Sequence, residues 1–359
     1  MKKKKKKYRI VSIDKRYYQK IQNQLHMKTK ILLLALGFTL PALLNAQAPG
    51  TKQEPPKKPL PIIDIHVHSM SMGTFQMGDL CPWFLENMPG TDPKTGMSFP
   101  AKDCVDPWKP AKNDDELTAA FLETIERLNI TAVVFGDPGM LYRWKNAAPD
   151  RIIPGIGVST PKDITVKAMR DSLSSGFYKV MSECAPQYEG MSPSDMSLDE
   201  YFAIAEELDI PVGIHMGTGG NGMANIMGTK FRAAMGNPLE LEDLLHRHPK
   251  LRVWVQHAGY PFTDELIAVM GWNAYVFLDI SGFIWSYPQE EIHMVIKRLV
   301  QAGFGKRIMY GTDFMGYPKM IETSIGLIQN ASYLTEEQKR DILYNNAARF
   351  LRLDEIKGK

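Results

Sequence analysis

Hydrophobic and polar residues alternate over residues 61–68 (PIIDIHVH), where the periodic part of the chain begins. A period of two predicts a β-strand with two unlike faces. One face is aliphatic, and the other carries three polar side chains, Asp64, His66 and His68. Imidazoles at positions i and i+2 lie on the same side of a strand, where they can bind one metal ion. A strand with its polar face in water would show the same pattern.

The rest of the chain divides into alternating predicted helices and strands. Apolar residues at helical spacing predict helices over residues 114–129, 162–175, 197–209, 238–246, 263–271, 289–302, 318–330 and 335–347. Short apolar runs predict seven further strands, over residues 130–135, 151–158, 177–183, 210–215, 251–257, 274–280 and 307–313. Eight strands mostly separated by helices favour an α/β fold that closes as a (β/α)₈ TIM barrel. An open doubly wound sheet is the alternative, but no Gly-x-Gly-x-x-Gly follows an early strand.

Two long segments interrupt this alternation, one after strand 1 (residues 69–113) and one after strand 5 (residues 216–237). Both are rich in Gly and Met, and such long segments in a compact domain are usually functional loops. We predict that the second loop is a lid in which Lys230 or Arg232 binds a substrate carboxylate. A loop whose charges contact only water is the alternative.

The charge of the chain is unevenly distributed. Residues 1–48 contain 12 of the 43 Lys and Arg residues and one acidic residue, so the remainder has 31 basic and 39 acidic residues. A net negative body argues against nucleic acid or an anionic membrane as a partner.

The N-terminal region predicts export. From Met27 the chain has a basic start, an apolar run and small residues at 45–48, the pattern of a signal peptide, so we assign residues 1–48 to a leader. Residues 1–26 precede this second Met and are an upstream extension or a disordered tail; a basic arm is the alternative. A linker (49–60), the barrel (61–352) and a tail (353–359) follow. The apolar run is short for a transmembrane helix and no Cys follows it, so we expect a periplasmic or secreted protein without a stable membrane anchor.

The chain has three cysteines, Cys81, Cys104 and Cys184. An odd number in an exported protein allows at most one disulfide. Cys81 and Cys104 share the first long loop and could pair; otherwise they are buried thiols.

Polar residues with metal-binding chemistry lie where the predicted strands end. They are His66, His68, Glu183, His215, His257 and Asp313. Active sites of (β/α)₈ barrels lie at the carboxyl ends of the strands. Four of the eight histidines fall at this one rim with an acid, which predicts a metal site.

Four motifs resemble those of the metal-dependent amidohydrolase superfamily, in its amidohydrolase-2 (aminocarboxymuconate-semialdehyde-decarboxylase-like) branch. They are DIHVH (64–68), GIH (213–215), HAG (257–259) and YGTD (310–313). RHP (247–249) and NNAARF (345–350) support the resemblance, which covers about residues 61–352.

The resemblance implies one divalent metal bound by His66, His68, His215 and Asp313, with His257 and Asp313 as catalytic residues. Imidazole and carboxylate ligands favour Zn²⁺, although Mn²⁺, Fe²⁺ or Ni²⁺ would also accept them. Glu183 could bridge a second metal, lie beside a single metal, contact substrate, or pair with a neighbouring cation. We favour one metal with Glu183 in or near the site.

These expectations together predict an exported hydrolase that cleaves an amide, lactone or ester of a small organic molecule. The first alternative is a decarboxylase, a carbon–carbon lyase, acting on an unsaturated or aromatic acid. A non-catalytic solute-binding barrel is a third possibility from another class. The sequence leaves the substrate and the oligomeric state open, and a homo-oligomer is compatible with it.

Overall fold

The structure is a computed structural model that describes residues 59–73, 78–87, 94, 104–219, 224 and 229–353. The described residues all belong to one compact unit, Lys57–Lys359. The predicted leader, most of the predicted linker and residues 354–359 of the predicted tail lie outside the described residues. Parts of both predicted loops also lie outside them.

Eight parallel strands form one sheet in which each strand pairs with the next along the chain. Their bounds are β1 Ile62–Ser69, β2 Ile130–Gly136, β3 Ile152–Ile156, β4 Val180–Cys184, β5 Val212–Ile214, β6 Val253–Val255, β7 Val276–Asp279 and β8 Ile308–Met309. Helices lie between the strands. The predicted (β/α)₈ TIM barrel is therefore confirmed.

The helices are α1 Asp114–Arg127, α2 Pro138–Ala147, α3 Val166–Ser174, α4 Asp199–Glu207, α5 Glu242–Arg247, α6 Thr263–Trp272, α7 Phe283–Ser286, α8 Gln289–Gln301, α9 Pro318–Gln329, α10 Glu336–Arg340 and α11 Asn346–Leu351. Helix α10 begins with a capping box, formed by Thr335 and Gln338. A π-helical turn, Asp341–Asn345, joins it to α11, so the predicted helix over 335–347 is not a continuous α-helix. No helix among the described residues combines the length and the apolar character needed to cross a bilayer.

Helix α2 was not predicted. Asp137 caps it by accepting a hydrogen bond from the backbone N–H of Met140. Pro138 occupies the first turn, where its missing N–H costs nothing. Met140, Leu141 and Trp144 are buried against the barrel. The Asp-Pro pair followed by apolar residues at helical spacing was the signal that could have located this helix.

The buried hydrophobic residues form two clusters, one inside the barrel and one in the layer outside it. The inner cluster joins side chains of several strands to the C-terminal helix, among them Ile63, Ile65, Val133, Val180, Trp254, Met309 and Phe350. Val67 packs in the outer cluster. The register between β1 and β2 shifts between Asp64 and Val67, so Val67 does not share the face of Ile63 and Ile65. The strict alternation predicted over residues 61–68 is wrong at this bulge.

Individual hydrogen bonds close the gap between β8 and β1. The backbone N–H of Ile65 donates to the carbonyl of Tyr310 (3.0 Å). The Asp64 carboxylate accepts from the backbone N–H of Thr312 (2.9 Å) and from its hydroxyl (2.6 Å). Asp64 is almost completely buried. It therefore belongs to the structural connection between the first and last strands.

Replacing Thr312 with Val should destabilise the barrel because Asp64 Oδ2 loses its hydroxyl donor in a buried position. We expect a loss of about 1–3 kcal/mol in the free energy of unfolding, measured by urea denaturation. Thr323→Val is the matched control, since the Thr323 hydroxyl donates to Lys319 O on the outer surface of α9. It should change stability by less than about 0.5 kcal/mol. Equal stability of the two variants would contradict the role given to Asp64.

Cys81 and Cys104 form a disulfide within the first long loop, the pairing that the sequence left open. Cys184 at the end of β4 is a free, buried thiol, and burial raises its pKa to about 12. A protonated, enclosed thiol reacts slowly with alkylating reagents.

Alkylation with iodoacetamide at pH 8 should therefore give three results, read as intact mass. The native, unreduced protein should take up no label, because Cys184 is enclosed. The denatured, unreduced protein should take up one label, and the denatured, reduced protein three. Three labels without reduction would show that Cys81 and Cys104 are not bridged.

Candidate metal centre

The six residues predicted from the strand ends meet at the carboxyl-terminal end of the barrel. His66 and His68 lie in β1 and Glu183 in β4, while His215, His257 and Asp313 follow β5, β6 and β8. Their ligand atoms form two adjoining groups, which we name cluster A (His66, His68, Asp313) and cluster B (Glu183, His215, His257). The predicted ligand His215 is thus grouped with Glu183 and His257 rather than with the other three predicted ligands.

Cluster A has the dimensions of a metal site. Nε2 of His66 and Nε2 of His68 are 3.4 Å apart. Oδ1 of Asp313 is 3.6 Å from the first nitrogen and 3.0 Å from the second. Donor atoms that bind tetrahedral zinc at ~2.0–2.1 Å are roughly 3.3 Å from one another. The triangle therefore matches one face of a zinc coordination polyhedron, and its two imidazoles and one carboxylate suit a divalent metal.

Asp279, the last residue of β7, fixes the tautomer of His66. Its Oδ2 lies 3.1 Å from Nδ1 of His66 and accepts from Nε1 of Trp254 (3.1 Å). Burial opposes ionisation of Asp279, but the charge and hydrogen bond of His66 keep its pKa below the ordinary value. A carboxylate can only accept, so the proton of His66 stays on Nδ1. In the neutral ring, the lone pair of Nε2 is then directed at the other donor atoms of cluster A.

Cluster B is held together by Glu183. Its Oε1 is 2.6 Å from Nδ1 of His215 and 3.4 Å from Nε2 of His257. The two imidazole nitrogens are 3.0 Å apart. Oε2 of the same carboxylate faces the other way, 3.5 Å from Nε2 of His68 and 4.0 Å from Nε2 of His66. Glu183 therefore lies between the histidines of cluster A and those of cluster B, with one oxygen towards each pair.

The backbone is bent to aim His257 and Asp313 inward. Both have positive φ angles of 56°, which β-carbon-bearing residues seldom adopt. Gly282 lies against them, and a Cβ added there would be 2.8 Å from Oδ2 of Asp313 and 3.1 Å from Nδ1 of His257. Glycine is thus required at 282 to leave room for both side chains.

The charges of the two clusters support one another. Burial opposes ionisation of Asp313, but the hydrogen bond to His68 and the nearby imidazoles lower its pKa to about 2. Burial also opposes ionisation of Glu183, whose pKa is nevertheless held well below its ordinary value by hydrogen bonds to His215 and His257. Burial disfavours the charged form of His257, yet Glu183 and Asp313 raise its pKa to about 9. Protons on imidazoles thus balance the carboxylates, and a cation that binds here has to displace them.

His215 presents an unpaired nitrogen to the mouth of the barrel. Its Nε2 is buried and has no hydrogen-bond partner among the described residues. The ring packs against Tyr188 and Phe231, with centroids 5.1 Å and 6.1 Å away. Phe231 belongs to the predicted lid, so the described end of that loop supplies an aromatic wall.

The predicted carboxylate-binding residues lie on the surface. Lys230 is exposed, and its Nζ is 3.7 Å from Oε2 of Glu189. Arg232 is exposed as well. Among the described residues, neither side chain forms a hydrogen bond or ion pair with a residue of the two clusters, so their role stays a prediction.

No site residue was predicted in the seventh strand. Asp279 accepts from the backbone N–H of His257 (2.9 Å) as well as from His66. The Ser281 hydroxyl donates to Oδ1 of Asp279 (2.6 Å) and lies 2.8 Å from Nδ1 of His66. Polar residues at i and i+2 after an apolar strand repeat the spacing of His66 and His68. That repetition was the available signal.

Comparison with known families gives this geometry a context. The profile of a family described as amidohydrolase matches residues 63–353. The chain belongs to the amidohydrolase family. The resemblance to the amidohydrolase-2 branch is thereby confirmed, and the family uses a divalent metal and acts on small molecules. A search of curated proteins finds no match to this amidohydrolase.

Solved structures share the fold at low sequence identity. An uncharacterised TIM-barrel protein from Bordetella bronchiseptica is 18% identical over 82% of this chain and 99% of its own, with a TM-score of 0.57. A probable 2-pyrone-4,6-dicarboxylic acid hydrolase from Acinetobacter baumannii is 13% identical over 82% and 100%, with a TM-score of 0.53. A manganese-bound 5-carboxyvanillate decarboxylase mutant from Novosphingobium aromaticivorans is 16% identical over 64% and 80%, with a TM-score of 0.50. The fold therefore does not choose between hydrolysis and decarboxylation.

Replacing Asp279 with Asn should weaken metal binding without removing a ligand, because Nδ1 of His66 loses its charged acceptor. We expect the affinity for Zn²⁺ to fall about 10–100-fold, measured by competition with a chromophoric chelator. Asp264→Asn, at an exposed carboxylate of α6 paired with Arg298, is the control and should bind like the wild type. Circular dichroism would verify that both variants are folded. Unchanged affinity in folded Asp279→Asn would contradict the tautomer argument.

Proposed function

We propose that this amidohydrolase cleaves an amide, lactone or ester of a small organic molecule with the help of a divalent metal, of which Zn²⁺ fits the donor set best. The observation that carries the proposal is the triangle of His66, His68 and Asp313 at the barrel mouth. Asp279 directs a lone pair into it. A divalent metal bound there supplies Lewis acidity and lowers the pKa of a water molecule to about 7.

Side chains of the protein carry out the proton transfer and the charge stabilisation. Asp313 is ionised and belongs to cluster A, so we assign it the acceptance of a proton from the attacking water and its transfer to the leaving group. His257 donates through Nδ1 to the carbonyl of Ser281 (3.1 Å) and turns Nε2 towards the site. When protonated, this imidazole can stabilise negative charge that develops on the substrate oxygen.

The exposure of the predicted cations favours hydrolysis over decarboxylation. A decarboxylase has to bind a substrate carboxylate. The cations proposed for that purpose, Lys230 and Arg232, are exposed. Cleavage of an uncharged carbonyl bond needs no such cation. Among the structural neighbours both chemistries occur, so the reaction has to be settled by assay.

We also propose that the protein is exported, as its N-terminal pattern predicts. The Cys81–Cys104 disulfide supports this location, because disulfides persist in oxidising compartments.

Asp313→Asn should lower turnover by several orders of magnitude, because the amide neither accepts a proton nor ligates metal well. The measurement is product release from a panel of small amides, lactones, esters and aromatic acids by zinc-loaded protein, with carbon dioxide followed in parallel. Asp264→Asn should retain wild-type rates. Acid release without carbon dioxide supports hydrolysis. Carbon dioxide release from aromatic acids would instead make the protein a decarboxylase, and tight binding without turnover a solute-binding barrel.

A further inference from the structure

We propose that a groove at the amino-terminal end of the barrel binds a small organic cation of the quaternary ammonium class. The groove is lined by Trp272 and Tyr275 on one wall and by Glu242 and Asp243 on the other. Its volume of about 540 Å³ lies within the range of small-molecule sites.

The position of the groove follows from the two segments that form it. One wall is α5 with the residues that lead into β6, and the other is the end of α6 with the residues that lead into β7. Both walls thus precede the strands that they join, whereas clusters A and B lie where strands end. In a parallel barrel these are opposite ends. The groove is therefore separate from the metal centre, and its ligand is not the substrate of the proposed reaction.

The aromatic wall of the groove is left in water. Trp272 is 86% exposed and Tyr275 is 54% exposed. The other five Trp residues of the chain are all at least partly buried. Within the part of the chain that the structure describes, no aromatic ring or cation stacks on Trp272. Two neighbouring aromatic side chains exposed in this way are typical of a binding site.

Hydrogen bonds hold the turn that carries the aromatic wall. Nη1 of Arg307 donates to the carbonyls of Asn273 (2.9 Å) and Val276 (3.1 Å). The carbonyl of Tyr275 accepts from the backbone N–H of Val253 in β6 (3.2 Å). The turn is thus fixed from behind, so little conformational entropy is lost when a ligand binds.

The charges of the groove favour a cation. Glu242 and Asp243 are exposed, and no Lys or Arg side chain lines the groove. Neither carboxylate forms an ion pair with another described residue. The body of the protein also attracts cations, because it has 39 acidic and 31 basic residues beyond residue 48. Since the faces of Trp and Tyr rings attract cations too, both walls favour a ligand of this charge.

The lining favours an organic cation over a metal ion. Among the described residues, all groups of three or more ligand atoms close enough to hold a metal lie in or beside clusters A and B. The buried part of the groove lining is apolar and includes Leu245, Leu251 and Val276. Apolar and aromatic surfaces suit the methyl groups of a quaternary ammonium, which donates no hydrogen bonds. A primary ammonium is strongly hydrated and loses more on leaving water.

The experiment titrates choline into the purified protein by isothermal titration calorimetry at low ionic strength. We expect saturable binding with a dissociation constant in the millimolar range or below. The neutral carbon analogue of choline, in which a tert-butyl group replaces the trimethylammonium group, should not bind because it has the shape without the charge.

Variants locate the binding site. Trp272→Ala should weaken choline binding about 5–30-fold, because an aromatic face is lost. Glu242→Gln should weaken it about 2–5-fold, because a carboxylate charge is lost. Met294→Ala and Glu290→Gln, at exposed residues of α8, are the matched controls and should bind like the wild type.

Each outcome bears on the proposal. Absence of saturable choline binding overturns it, as does equal affinity for choline and its carbon analogue. Unchanged affinity in Trp272→Ala, shown to be folded by circular dichroism, overturns the location. Tighter binding of N-acetyl-lysine amide than of choline would make a basic peptide the occupant and overturn the choice of a quaternary ammonium.

A quaternary ammonium can be a free molecule or part of a phosphatidylcholine headgroup. Sedimentation with phosphatidylcholine vesicles distinguishes the two sources. Sedimentation that is lost in Trp272→Ala supports the groove as a site for the lipid headgroup. Binding of choline without sedimentation supports it as a site for a free molecule.

Discussion

The hydrogen bonds between Asp64 and Thr312 are the connection on which the metal centre depends. They tie β1 to the segment after β8, and these two places supply every residue of cluster A. Burial of Asp64 is costly and raises its pKa to about 7, despite the hydrogen bonds from Thr312. This cost of burying a carboxylate falls at the junction of β8 and β1, where individual hydrogen bonds replace regular strand pairing.

A second polar network, centred on Asp279, coordinates the two clusters with each other. Its oxygens receive hydrogen bonds from His66, from the backbone of His257 and from Trp254. One buried carboxylate thus determines which nitrogen His66 offers and where the His257 backbone lies. Shared support of this kind means that the two histidines cannot be repositioned independently.

The barrel and the six strand-end residues could be predicted because both follow from periodicity. Apolar runs indicate the strands, and the polar residues at the ends of parallel strands meet at one rim of the barrel. Ligand grouping could not be predicted in this way. The assignment of His215 depends on side-chain rotation, and that of Glu183 on its distances to four imidazoles. Asp279 was not predicted because it supports His66 through a hydrogen bond to Nδ1 and belongs to neither cluster. Loop residues such as Lys230 were the least predictable, since no periodicity constrains where a loop side chain points.

A metal ion bound beside the short last strand would couple folding to metal supply. Strand β8 contains only Ile308 and Met309, and beyond it individual hydrogen bonds, such as that from the backbone N–H of Asp313 to the carbonyl of His66 (2.8 Å), join the chain to β1. An ion bound by His66, His68 and Asp313 adds a cross-link at this junction, and by thermodynamic linkage it stabilises only the folded chain. At a free concentration 100 times its dissociation constant it would contribute about 2.7 kcal/mol. Resistance of the protein to proteases should therefore track the trace-metal content of its surroundings.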